Sequence, residues 1–215
     1  ARIYTDLGLL TCDPDITADV SDLFNRLTGF SRPASYRKLL VAPRFMMQGL
    51  VERVRRETEH ARAGKPGHII FKCNSITETD MIDALYEASA AGVKVELLVR
   101  GICCLVPGVP GLSESITVRS VLGRFLEHSR CYWFANAGQP EVFIGSADLM
   151  ERNLRRRVEV ITPVERPELV HWLRDGFLQP YLDDTRRTRI MQPDGSYVRI
   201  ADQDGPDVQT TFLEG

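Results

Sequence analysis

The stretch from His68 to Val99 limits the fold more than any other. His68 to Cys73 (HIIFKC) is an apolar run of strand length, and Val93 to Val99 (VKVELLV) is a second. Between them, Thr77 to Ala91 carries Ile82, Leu85 and Ala88 at helical spacing, and Gly92 follows as a C-terminal cap. A strand, a helix and a strand in so short a span imply a parallel pair inside an α/β sheet. The expected class is therefore α/β, a sheet flanked by helices. The second strand ends at Arg100-Gly101. Ligands in such sheets bind at the carboxyl ends of the strands.

The flanking segments supply the rest of a domain. Residues 1 to 15 read as an extended lead-in. Ile16 to Leu27 reads as a helix with Val20, Leu23, Phe24 and Leu27 on one face, Thr17 as N-cap and Gly29 as stop. Lys38 to Ala42 reads as a short strand halted by Pro43. A long helix is expected from Met46 to Ala63, with Leu50, Val51 and Val54 inward and Glu52, Arg55, Arg56 and Glu57 outward. Ile116 to Val121 reads as a strand and Gly123 to Leu126 as a brief helical turn. Glu165 to Leu182 has the pattern of an amphipathic helix with Leu169, Trp172, Leu173, Phe177 and Leu178 inward. Thr185 to Ile200 reads as a hairpin around Pro193-Asp194-Gly195-Ser196. Ala201 to Gly215 is polar and acidic, and the composition predicts disorder.

A formal net charge of -2 gives the chain no general pull towards nucleic acid or anionic lipid. Any anion site must then be a local basic cluster. No apolar run approaches the roughly 20 residues that span a bilayer. The five cysteines are odd in number and form no CxxC, which points to a reducing cytoplasm and away from disulfides or structural zinc. The chain opens Ala-Arg-Ile-Tyr, without a methionine or a signal peptide, and reads as the later part of something longer. The loop GICCLVPGVPGLSES holds neither a P-loop nor a dinucleotide fingerprint.

The chemistry concentrates between Leu126 and Val160. His128 and Arg130 precede an apolar run, Cys131 to Ala135, and a turn from Asn136 to Pro140. Val142 to Ile144 then delivers Gly145-Ser146-Ala147-Asp148 at a strand end. A histidine can act as nucleophile, acid or base on phosphorus. A lone histidine is more often a surface or capping residue. Arg130, Ser146 and Glu159 nearby favour the functional reading. Glu159 is a candidate to orient His128 through a ring N–H. Arg100 can grip phosphate with its planar fork. Arg152, Arg155, Arg156 and Arg157 form a basic run, and strand alternation would turn Arg156 to one side. Tyr4 is either a nucleobase platform or core.

The segments ARIYTDLGLLTCDPDITADV, LLVRGICCLVPGVPGLSESI, RFLEHSRCYWF and FIGSADLMERNLRRRVEVITPV together resemble the C-terminal portion of the type-one polyphosphate kinases. The resemblance runs from residue 1 to about 200 and rests on several long segments in order. It implies a phospholipase-D-like mixed sheet, two related α/β halves facing each other across a phosphate site. Residues 1–36 would be the tail of the first half, 37–200 the second half, and 201–215 a disordered tail. It implies ATP and ADP as nucleotides, magnesium as cofactor and polyphosphate as partner. The phosphorylated histidine of that family lies in a His-x-Lys motif upstream of the YTD segment. The family's second essential histidine falls on His128, its nucleotide-phosphate arginine on Arg100 and its nucleotide-contacting tyrosine on Tyr4. Arg130, Ser146 and Arg156 join as candidate phosphate ligands and Glu159 as the orienting carboxylate, with no metal ligand expected. His128 would act mainly as imidazolium. The phospholipase pattern His-x-Lys with GSxN is altered to His128-Ser129-Arg130 and Gly145-Ser146-Ala147-Asp148. A homo-oligomer is expected, without nucleic acid or a transmembrane segment, and peripheral membrane association stays open. Two alternatives stand beside this reading: a phosphodiesterase or nuclease half-site, and a non-catalytic module for polyanion binding or oligomerisation.

Overall fold

The structure, a computed structural model, describes residues 4–31, 33–200, 202 and 204–214. In chain order the first elements are β1 (Tyr4–Thr5), α1 (Pro14–Leu27), β2 (Leu40–Val41), α2 (Met46–Arg62), β3 (His68–Cys73), α3 (Thr79–Ala90) and β4 (Lys94–Val99). Then come β5 (Ile116–Val121), β6 (Leu126–Glu127), β7 (Arg130–Phe134), β8 (Glu141–Gly145) and β9 (Val160–Val164). The chain closes with α4 (Pro167–His171), α5 (Gln179–Asp183), β10 (Thr188–Met191), β11 (Tyr197–Arg199) and α6 (Val208–Glu214). π-helical turns, Trp172–Leu178, join α4 to α5.

Nine strands form one mixed sheet in the order β11-β10-β5-β4-β3-β7-β8-β9-β2. As the crossover requires, β3 and β4 pair in parallel, from His68 beside Lys94 to Cys73 beside Val99. β5 extends this parallel block, and β7, β8 and β9 continue it as antiparallel neighbours. Alternation along the strands makes two cores. Phe71, Val95, Leu97 and Phe134 pack with Val54 of α2 and Leu85 of α3. Ile70, Leu98 and Trp133 face the other way and pack with Leu173, Phe177 and Leu178. Each fully buried side chain of this size contributes about 1.5–3 kcal/mol.

Several local expectations are corrected. The cap of α1 is Asp13, whose carboxylate accepts the N–H groups of Asp15 and Ile16, and not Thr17. On that helix only Ile16, Asp19 and Leu23 are buried, and Phe24 is 62% exposed. Glu57, expected on the outer face of α2, is fully buried because it accepts the backbone N–H of Asn136 at 2.6 Å and of His68 at 3.2 Å. Gly123 to Leu126 is not helical, and Leu126 enters β6. Arg152–Arg156 is a π-helical turn, so strand alternation does not sort its arginines. Trp172 is half exposed. The tail is folded over residues 204–214, where α6 buries Val208 and Gln209. Ala201, Gln203 and Gly215 of that segment lie outside the described residues.

Candidate functional site

Register fixes which ends of the strands meet. Cys73, Val99 and Val121 end the parallel strands at the same edge where β7 begins with Arg130 and β8 ends with Gly145. β1 adds a second, two-stranded sheet there by pairing in parallel with β6. The N–H of His128 continues that ladder, donating to the Thr5 carbonyl at 2.8 Å. The N-terminal segment thus holds the backbone of His128 in place.

The His128 ring lies between two neighbours. Tyr4 packs against it with ring centroids 4.9 Å apart and planes tilted by 51°. Tyr4 is itself 55% exposed, so it is not a core residue. It lines a cleft of about 290 Å³ with Phe125, Phe212 and Leu213. On the other side, an Arg130 terminal nitrogen lies 3.2 Å from His128 Nδ1 and donates to the His128 carbonyl at 2.5 Å. A guanidinium only donates, so Nδ1 accepts and the ring proton sits on Nε2.

Arg130 does not offer a free fork. Its Nε and a terminal nitrogen reach the two Asp148 oxygens at 3.2 and 3.1 Å, and Asp148 also accepts the N–H of Asn74 at 2.7 Å. Arg100 differs. Its guanidinium has no ion pair among the described residues, and one terminal nitrogen is buried without a partner. Such a donor set attracts an anion. Arg100 lines a water-sized cavity of about 20 Å³ with Lys72, Asn74, Glu127 and Tyr181.

Glu159 does not reach His128. Its carboxylate accepts the Ser146 hydroxyl at 2.5 Å and the Asn153 amide at 2.7 Å, with Arg157 at 3.9 Å. Ser146 stays exposed, its backbone N–H donating to the Val160 carbonyl. Gly145 is needed for a close approach to β9: a Cβ there would fall on the Val160 carbonyl oxygen and 2.7 Å from Ile161 Cα. Arg156 meets none of the site residues named above in a hydrogen bond or ion pair. It is paired with Glu151 at 2.7 Å and its side chain is 72% exposed. Arg155 is tied to Glu78 and Asp80. Arg152 is exposed.

Sequence reasoning missed Lys72, Glu127 and Gln209. Lys72 sits in an apolar strand and reads there as an ordinary interior residue. Its ammonium meets the Glu127 carboxylate at 2.9 Å and the Ser129 hydroxyl at 2.8 Å. Gln209 of α6 donates to Glu127 at 2.9 Å. Among the described residues no group of three or more His, Cys, Asp or Glu side chains could hold a metal ion. Glu127, Asp148 and Glu159 are engaged by Lys72, Arg130 and Ser146, so these carboxylates are not free to hold magnesium.

A family model described as "Polyphosphate kinase C-terminal domain 2" matches residues 39–210, and one described as "Polyphosphate kinase C-terminal domain 1" matches residues 1–33. The chain is 54% identical over 214 residues to a polyphosphate kinase of Parasynechococcus marenigrum, covering all of this chain and 30% of that one. It is 53% identical to one of Streptomyces coelicolor, covering 95% of this chain and 28% of the relative. The chain therefore spans less than a third of the length of these relatives. A crystal structure of polyphosphate kinase from Porphyromonas gingivalis superposes with a TM-score of 0.89 at 37% identity, over 95% of this chain and 32% of that one. Nuc of Salmonella typhimurium, a phospholipase D family member, superposes at 0.50 with 16% identity, over 72% of this chain and 97% of Nuc. That match shows the fold alone, a phospholipase-D-like mixed sheet flanked by helices. With a domain model matched over most of its length, the chain belongs to the polyphosphate kinase family.

Proposed function

We propose that this chain supplies one half of a polyphosphate kinase site, the half that receives the nucleotide and steadies the phosphoryl group in flight. The observation that carries the reading is the convergence, at one strand edge, of Arg100 with an unpartnered buried nitrogen and a Tyr4–His128 pair beside an open cleft. In the reaction, the terminal phosphate of ATP moves onto a histidine upstream of this chain and then onto the end of polyphosphate, reversibly. Little covalent work falls to this half. Its task is to hold donors where charge develops. Tyr4 stacks the base, Arg100 grips nucleotide phosphate, and His128 donates from Nε2 to the transferring oxygens. Arg130 aligns His128 and is not itself a phosphate ligand. Ser146 offers a hydroxyl at the rim. Magnesium would be held by the nucleotide phosphates and would supply charge neutralisation there.

The division into a tail of the first half (1–36) and a second half (37–200) is supported by the boundary between the two family models. Five free cysteines, with Cys12 and Cys104 exposed, suit a reducing cytoplasm. No helix among the described residues is long and apolar enough to cross a membrane. The homo-oligomer belongs to the same proposal.

The test is nucleotide kinetics in a whole polyphosphate kinase carrying this chain as its C-terminal portion. Arg100→Ala should raise KM for ATP by about 10–100-fold, the value of a charge-assisted hydrogen bond. An unchanged KM removes Arg100 from the site. Cleavage of a chromogenic phosphodiester without ATP would instead support the nuclease-like alternative.

A further inference from the structure

We propose that Lys72 is a positioning residue for His128, acting by gripping the two residues that flank it in the chain. The proposal rests on the reading of His128 as the group that meets the transferring phosphoryl. Glu127 and Ser129 bracket His128, and the Lys72 ammonium binds both, at 2.9 and 2.8 Å. All three gripping residues are buried: Lys72 is 6% exposed, Glu127 6% and Ser129 4%. The backbone between two fixed neighbours has little freedom left, and the Thr5 hydrogen bond removes more.

The ammonium is itself enclosed. It lies 4.5 Å from the centroid of the Tyr181 ring and 5.8 Å from that of Phe177, within cation–π range. Glu127 is held from behind by Gln209, which also receives the N–H of Phe125 at 3.1 Å. The clamp therefore runs from β3 through β6 to α6. Burying an ammonium and a carboxylate carries a large desolvation cost, and apolar side chains of the same volume commonly stabilise a core at least as well. What an apolar pair cannot supply is a directional hold on both neighbours of one histidine. A displacement of about 1 Å at a reacting group can cost about 100-fold in rate.

The experiment compares Ser129→Ala and the double variant Lys72→Met with Glu127→Gln against His128→Gln, in a whole polyphosphate kinase carrying this chain. The double variant removes both charges together, so no lone buried charge is left to unfold the protein. Expected are a kcat lower by about 100-fold in the double variant and by about tenfold in Ser129→Ala, with KM for ATP within about twofold of wild type. A purely structural role would lower the amount of folded enzyme and its melting temperature, not the turnover of what is folded. Wild-type kcat in Ser129→Ala, or in a folded double variant, overturns the proposal while His128→Gln remains inactive. If His128→Gln itself keeps wild-type kcat, the reading of His128 falls, and the positioning role falls with it.

Discussion

Arg130 and Asp148, the two positions at which the phospholipase pattern is altered, are each other's partners. The guanidinium spans both carboxylate oxygens, at 3.2 and 3.1 Å. The side chains are 12% and 9% exposed. A lysine and an asparagine at these places would leave a mobile point charge. An arginine bound in two places is fixed and points its remaining nitrogen at His128.

That pair should be costly to break. Asp148→Ala leaves a mostly buried guanidinium and the Asn74 N–H without their acceptor. Breaking such a pair costs about 3–5 kcal/mol. Urea unfolding should show a loss in that range for Asp148→Ala and a clearly smaller loss for Asp148→Asn, which keeps an acceptor. Equal losses would mean that the charge, which both variants lack, is what counts, and not the retained acceptor or the packing.

Glu96 gives the sheet a predictable acid response. Burial pushes its carboxyl up, but hydrogen bonds from His68 at 2.7 Å and from Lys94 outweigh this and hold it at about 2, below its ordinary 4.5. A depressed carboxyl stabilises the fold above its unfolded value, and the contribution is lost as pH falls from 4.5 towards about 2. Unfolding free energy measured across that window should fall less steeply in Glu96→Gln than in wild type. The variant should also be less stable at pH 7. Parallel slopes would contradict the assignment.

The tail should matter to stability. Val208 is 1% exposed, and Arg187 binds Asp207 at 2.7 Å. Ending the chain after Ile200 removes that burial and the Gln209 contact to Glu127. Burial of one such side chain is worth about 1.5–3 kcal/mol, and each kcal/mol moves a domain of this size by about 2–4 °C. The truncated chain should melt at least about 5 °C lower by circular dichroism. An unchanged midpoint would restore the disordered tail.

The elements that could be read from sequence are those whose pattern is local. β3, α3 and β4 carry their periods within about six to a dozen residues, and Gly92 has the positive φ its cap needs, 91°. Arg100 could be placed because a strand end is a sequence-level fact. The errors come from partners far apart in the chain. Glu57 looks solvated on a helical wheel, yet its partners include Asn136, 79 residues away. Lys72 meets Ser129 across 57 residues. Glu159 sits at the strand edge that its sequence position predicts, but edge position does not say which neighbour a carboxylate faces, and Ser146 and Asn153 hold it. α6 is too short and polar to announce itself, and tertiary packing of Val208 decides its folding.

The central claim is that this chain holds the receiving half of the site and that the phosphorylated histidine lies upstream. The direct measurement is acid-labile phosphate on protein after incubation with magnesium and γ-labelled ATP. The account predicts no label on this chain, and label on a longer polypeptide that includes the upstream His-x-Lys segment. Label on this chain, lost in His128→Ala, would contradict it and make His128 the nucleophile.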